Sequence, residues 1–141
     1  MTVTDQAIFD ELCYYTLSHR DPAFIHQHAV DAYAAQTAEE SDKAIRLAFA
    51  LIGLHLHIDR HFTGKRVQEA HMFLARRKFD WPRFPLPLSR GLITVSEVLS
   101  APEGSKRDRM IHSWCGSVWE AYTKSHKAVI ELLRERGFAP Q

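Results

Sequence analysis

Histidine is the residue type whose number and placement ask most for an explanation, because nine occur in a chain of 141 residues. Imidazole is a common metal ligand, and it is the side chain whose free pKa lies nearest neutrality. His28 falls on the apolar stripe of a predicted helix, with Asp31 three residues on and so on the same face. His126 comes four residues after Tyr122 and three before Val129, which points it inward on the C-terminal helix. His55, His57, Asp59 and His61 crowd the end of the most apolar segment. There His57 and His61 share one face, and His55 and Asp59 share another. His19, His71 and His112 stand at a helix end or among charged neighbours and read as solvated or simply packed.

Two readings of the inward histidines stand side by side. In one, His28, Asp31, His57 and His126 converge from separate helices on a divalent metal, as facing helices of a bundle do when they build a metal site. Such nitrogen and oxygen donors suit zinc, nickel, iron or manganese. In the other, His28 and His126 are core histidines whose ring nitrogens are satisfied by Asp31, by the hydroxyls of Tyr33 or Tyr122, or by backbone carbonyls. The sequence carries no His-Glu-x-x-His signature to separate them.

Other chemistry has less support. Cys13 and Cys115 lie far apart at apolar helical positions, without a Cys-x-x-Cys pair, and read as small buried hydrophobes in a reducing compartment. No Gly-rich phosphate loop or Gly-x-Ser-x-Gly elbow occurs. Arg60, Lys65, Arg66, Arg76, Arg77, Lys78, Trp81 and Arg83 form a basic run with an aromatic, the kind of surface that binds single-stranded nucleic acid. A solvated helix face explains it more simply, and a formal charge of +1 argues against a broad nucleic-acid or membrane surface.

The elements that must position these side chains read as all-α: a single domain over residues 1–141, built as a bundle of four to five helices. Helix one covers about residues 4–18, with Ile8, Leu12 and Tyr15 at helical spacing. Asp21 and Pro22 read as an N-cap and first helical residue of helix two, which runs to about Gln36. Thr37 to Glu40 matches a capping box for helix three, about residues 41–61, apolar on nearly every side and therefore the central helix. Thr63 and Gly64 open helix four, about residues 65–78, with Val67, Ala70, Met72, Phe73 and Leu74 towards the core. Prolines 82, 85 and 87 forbid a helix. They predict a proline-rich strap, between helix four and the C-terminal helices, that lays Trp81, Phe84, Leu86 and Leu88 across the bundle. Thr94 to Glu97 is a second capping box for a short helix, and residues 105–136 read as one long helix closed by Gly137.

At 45% hydrophobic and 25% charged residues the composition is that of an ordinary globular protein. The longest uncharged run in the central helix, residues 47–58, is too short to span a bilayer. The acidic start lacks the basic and apolar regions of a signal peptide, so a soluble, cytoplasmic protein is expected. If Trp81 and Phe84 cover an interface instead of the core, the chain is a homodimer or interaction module.

Five stretches carry a resemblance: residues 11–19 (Glu-Leu-Cys-Tyr-Tyr-Thr-Leu-Ser-His), 26–36 (His-Gln-His-Ala-Val-Asp-Ala-Tyr-Ala-Ala-Gln), 53–57 (Gly-Leu-His-Leu-His), 81–87 (Trp-Pro-Arg-Phe-Pro-Leu-Pro), and 114–122 (Trp-Cys-Gly-Ser-Val-Trp-Glu-Ala-Tyr) followed by His126. Together they resemble an uncharacterised bacterial family, a domain of unknown function, over almost the whole chain. The resemblance implies one intact domain and supplies no reaction, ligand or catalytic residue. The inward histidines on separate helices also give a looser likeness to bacillithiol-transferase-like helical bundles, in which three histidines hold a divalent metal. That is an analogy of fold, and fold alone does not assign function.

Overall fold

In a computed structural model, residues 4–139 are described, and they are helical without any strand. Seven α-helices follow in order: α1 (Asp5–Ser18), α2 (His26–Gln36), α3 (Ala44–Ile58), α4 (Gly64–Ala75), α5 (Val95–Ser100), α6 (Ser105–Ala121) and α7 (His126–Glu135). A 3-10 turn, Thr123–Ser125, joins the last two. The all-α class holds, and the helix count exceeds the four to five expected. No helix among the described residues is long and apolar enough to cross a membrane.

Helix α3 sits at the centre, where nine of its fifteen residues are buried. It packs against α2, α4, α6 and α7, while α2 also meets α1, α4 and α6. The periodic apolar residues supply the core: Leu12 and Tyr15 from α1, Leu51, Leu54 and Leu56 from α3, and Ile111, Trp114 and Trp119 from α6. Thr4, Thr63 and Thr94 cap α1, α4 and α5, each side chain accepting a backbone N–H from the residue three on. Of these, the Thr94 cap is the one the capping-box spacing predicts.

Four expectations are corrected. The long C-terminal helix breaks at Tyr122, whose backbone leaves the helical region and whose buried hydroxyl donates to the Ala35 carbonyl at 2.6 Å. Thr37 does not open α3. Its hydroxyl donates to the Tyr33 carbonyl and closes α2, and the next turn is built on Asp42, whose carboxylate accepts from the Glu39 N–H and pairs with Arg46. Asp21 caps a turn by accepting from the N–H groups of Ala23 and Ile25, but Phe24 at φ 57° interrupts the helix, so α2 starts at His26. On α4 the buried stripe is Val67, Ala70 and Leu74, whereas Met72 and Phe73 lie off it and are exposed.

Residues 78–94 form neither helix nor strand. Phe84 is buried and Trp81 packs edge-on against Phe49, but Leu88 is fully exposed, contrary to expectation. Gln36 anchors this segment: its amide N–H groups donate to the carbonyls of Arg90 and Ile93, and its oxygen accepts from the Trp114 indole at 2.9 Å.

Two glycines should respond oppositely to the same change. A Cβ on Gly64 would fall 1.7 Å from the Phe24 carbonyl oxygen, which is backbone and cannot yield. Gly116, inside α6, would meet only Ile58 at 4.0 Å. Gly64→Ala should therefore destabilise by more than about 2 kcal/mol, and Gly116→Ala should stabilise by about 0.5–1 kcal/mol through helix propensity. Urea denaturation of both variants checks the pair of signs.

Candidate functional site

Helices α2 and α3 face each other in antiparallel register, with residue 28 opposite 57 and residue 31 opposite 53. The His28 and His57 rings stack at 3.5 Å between centroids with an interplanar angle of 17°. His112 of α6 meets the second ring edge-on, its Nδ1 3.2 Å from His57 Nε2. Three imidazoles from three helices thus form one contiguous cluster, running from buried His28 through half-buried His57 to exposed His112.

The hydrogen bonds fix part of the tautomer pattern. His57 Nδ1–H donates to the Phe62 carbonyl at 3.3 Å. A neutral His57 therefore presents the lone pair of Nε2 to His112. Burial pushes His57 down to about 4, with His112 and His61 adding to the effect and the Phe62 carbonyl opposing it. Burial, then His57 and His112, pushes His28 down to about 3. Both rings are neutral near pH 7, the state in which imidazole coordinates a metal. His28 Nδ1 is buried and has no hydrogen-bond partner.

The other residues expected at a common site lie elsewhere. Asp31 is buried one turn along α2, where its Oδ1 accepts from the Gln27 amide at 3.1 Å and its Oδ2 is unpartnered. A Cβ on Gly53 would come within 1.9 Å of that Oδ2, so the glycine makes room for the carboxyl. Burial raises the Asp31 pKa well above the usual carboxylate value. His126 belongs to a different group: its ring stacks on Trp119 at 3.7 Å and its Nε2–H donates to the Trp119 carbonyl, occupying an acceptor at the end of α6. The Trp119 indole donates to Asp59, which also holds His55 Nδ1 at 2.8 Å. The structure thus joins His28 to His57, sets Asp31 apart and gives His126 a backbone partner. Among the described residues, no group of three or more His, Cys, Asp or Glu side chains stands in an arrangement that could hold a metal ion.

His112 is the member that reading from spacing missed. Its charged neighbours suggested a solvated residue, and the available hint was Gly116 one turn on, where α6 runs past Ile58 near the end of α3. Cys115 is wholly buried, its thiol donates to the His28 carbonyl, and burial raises its pKa, so it packs as an inert hydrophobe. Within the basic run, Arg66 lies over Phe62, and Arg83 donates to the carbonyls of Glu40 and Asp42.

Acid should unfold the protein through His28 and His57. Their folded pKa values are below the unfolded value near 6.5, so the unfolded chain binds more protons, and stability falls as pH drops from about 6.5 towards 3. Asp31, whose pKa is raised, acts in the opposite sense over the acid range. With chelator present, a His28→Asn/His57→Asn variant should show a shallower loss between pH 6.5 and 4 in urea titrations. An unchanged slope would assign the acid sensitivity to other groups.

Compared with known families, residues 5–123 match a family of unknown function (DUF5946). No curated protein and no solved structure matches.

Proposed function

The chain belongs to that family of unknown function, and we propose that it binds a divalent metal ion through its imidazole cluster, with His57 and His112 as first ligands and His28 as the third. The observation that carries the reading is the meeting of His57 Nε2 and His112 Nδ1 at 3.2 Å while His57 Nδ1–H is held by the Phe62 carbonyl. Two nitrogens on one tetrahedral ion at ordinary bond lengths lie about 3.3 Å apart. A ligand histidine also typically donates its other N–H to a carbonyl or carboxylate, which orients the ring. The imidazole donors favour zinc, nickel or iron over manganese.

His28 supplies the third nitrogen by turning out of its stack. In the stacked position its buried Nδ1 has no hydrogen-bond partner, a cost that a metal bond would remove. Asp31 and His126 stay outside the ligand set, because the Asp31 carboxyl faces Gln27 and position 53 and the His126 ring donates to the Trp119 carbonyl. The exposed edge at His112 leaves remaining coordination positions open to water or a small molecule.

Calorimetric titration of untagged protein with zinc and nickel tests this. One ion should bind per chain, His57→Ala and His112→Ala should each weaken binding by about tenfold or more, and His126→Ala should bind as the parent does. Equal affinity in the His57 and His112 variants would remove the proposal.

A second reading concerns self-association. Leu88 and Leu92 are 108% and 89% exposed on the segment before α5, and Leu92 lines a shallow cleft with Gly116 and Ser117 of α6. Exposed apolar side chains concentrated in one segment favour a homodimer through this face. Light scattering should show mass rising with concentration, and Leu88→Ser/Leu92→Ser should hold the protein monomeric. A parent that stays monomeric at high concentration rejects it.

A further inference from the structure

A cleft of about 730 Å³ opens between α1, α5 and the start of α6. Ile8, Glu11 and Tyr14 line it from α1, Leu99 from α5, and Glu103 and Arg107 from the chain that follows. Among the described residues, Arg107 is the one Lys or Arg that is buried. Its Nε and Nη2 donate to the Ala101 and Leu99 carbonyls at 3.0 and 2.7 Å. Its guanidinium also covers the Tyr15 ring at 4.6 Å. These contacts close the C-terminal end of α5 and hold the guanidinium in place.

Nη1 has no such partner. The Glu103 carboxylate stands 3.7 Å from it, beyond hydrogen-bond length, and that side chain is 75% exposed. The described polar atoms that are both sealed and unpartnered are His28 Nδ1, Asp31 Oδ2 and Arg136 Nε. Nη1, which makes no hydrogen bond, is not one of them and so remains open to solvent. A buried charge ordinarily has a hydrogen-bonded counter-ion, and the guanidinium fork suits a carboxylate. Two opposite charges thus stand side by side without bonding to each other, one fixed and one on an exposed side chain. Glu11 adds a second exposed carboxylate to the cleft, and Tyr14 presents a ring that is 78% exposed.

We propose that this cleft binds a free α-amino acid, with its carboxylate on Arg107 Nη1, its ammonium on Glu103 and Glu11, and its side chain against Ile8, Tyr14 and Leu99. An α-amino acid carries its two charges on neighbouring atoms, which matches a guanidinium and a carboxylate 3.7 Å apart. A simple anion would meet Glu11 and Glu103, and a simple cation would meet Arg107. A zwitterion answers both signs. Opening the Arg107–Glu103 pair costs little, since an ion pair with an exposed, unbonded member contributes little. The volume falls within the range of small-ligand pockets, about 300–1,000 Å³. His28, His57 and His112 do not line this cleft, so the site stands or falls independently of metal binding.

The test is an NMR titration of the untagged full chain at neutral pH with three probes that share one hydrocarbon body: L-phenylalanine, phenethylammonium and 3-phenylpropanoate. L-Phenylalanine should give saturable shifts concentrated at Tyr14, Leu99 and Glu103, and each singly charged probe should bind about tenfold more weakly. Arg107→Gln should weaken L-phenylalanine by about tenfold or more. Glu103→Gln should weaken L-phenylalanine and strengthen 3-phenylpropanoate, because it removes the ammonium partner and a like charge together. If Arg107→Gln does not fold, the exposed Glu103→Gln decides the matter by that opposite pair of changes. No saturable shift in the cleft, equal binding of the three probes, or undiminished L-phenylalanine binding in either folded variant would overturn the proposal.

Discussion

Helices α2 and α3 approach each other across a face where polar groups, not hydrocarbon, meet. The Asp31 carboxyl occupies the space that any side chain at position 53 would fill, and one turn away the His28 and His57 rings stack. This contact sets the separation and register of the two helices. Much else depends on it, because α3 is the helix that α4, α6 and α7 also pack against. A glycine in so apolar a helix lowers its intrinsic stability, and tertiary burial offsets that loss. The interior is therefore organised around two buried, incompletely satisfied polar groups on one face of α2. Buried polar atoms of that kind are uncommon in native proteins and call for a reason.

The histidines divide by partner. His19, His71 and His126 each direct a ring nitrogen to a backbone carbonyl, and His26 meets the Thr16 hydroxyl. These rings finish helix ends or lock neighbouring segments together. His55 is held by Asp59, whose carboxylate also receives the Trp119 indole, so that group is satisfied internally. The link between His57 and His112 is different, since it joins two imidazoles from separate helices at the edge of the protein. A nitrogen there is set by its own backbone hydrogen bond to present a lone pair. It is this distinction, more than the number of histidines, that makes the α2–α3–α6 junction the place where chemistry is expected.

Much of the architecture was legible from the chain. Thr94 announced one helix start through a capping box, Thr63 and Gly64 marked another, and the apolar run of α3 announced the most buried helix. Local signals failed where a distant group outbid the neighbouring ones. Thr37 looked like the start of α3, but its hydroxyl serves the carbonyl of Tyr33. The long C-terminal helix looked continuous, but Tyr122 leaves it to reach Ala35, 87 residues away in sequence.

By itself, then, the sequence determined the helical class, most of the helix positions and the inward face of His28, because periodicity and capping are set by residues within one or two turns. Only tertiary packing decided that His57 pairs with His28, that His112 joins them, and that Asp31 and His126 do not. Spacing says which side of a helix a residue occupies. Which helix lies opposite that side depends on close approaches such as Gly53 against Asp31 and Gly64 against Phe24, and these exist only once the chain has folded.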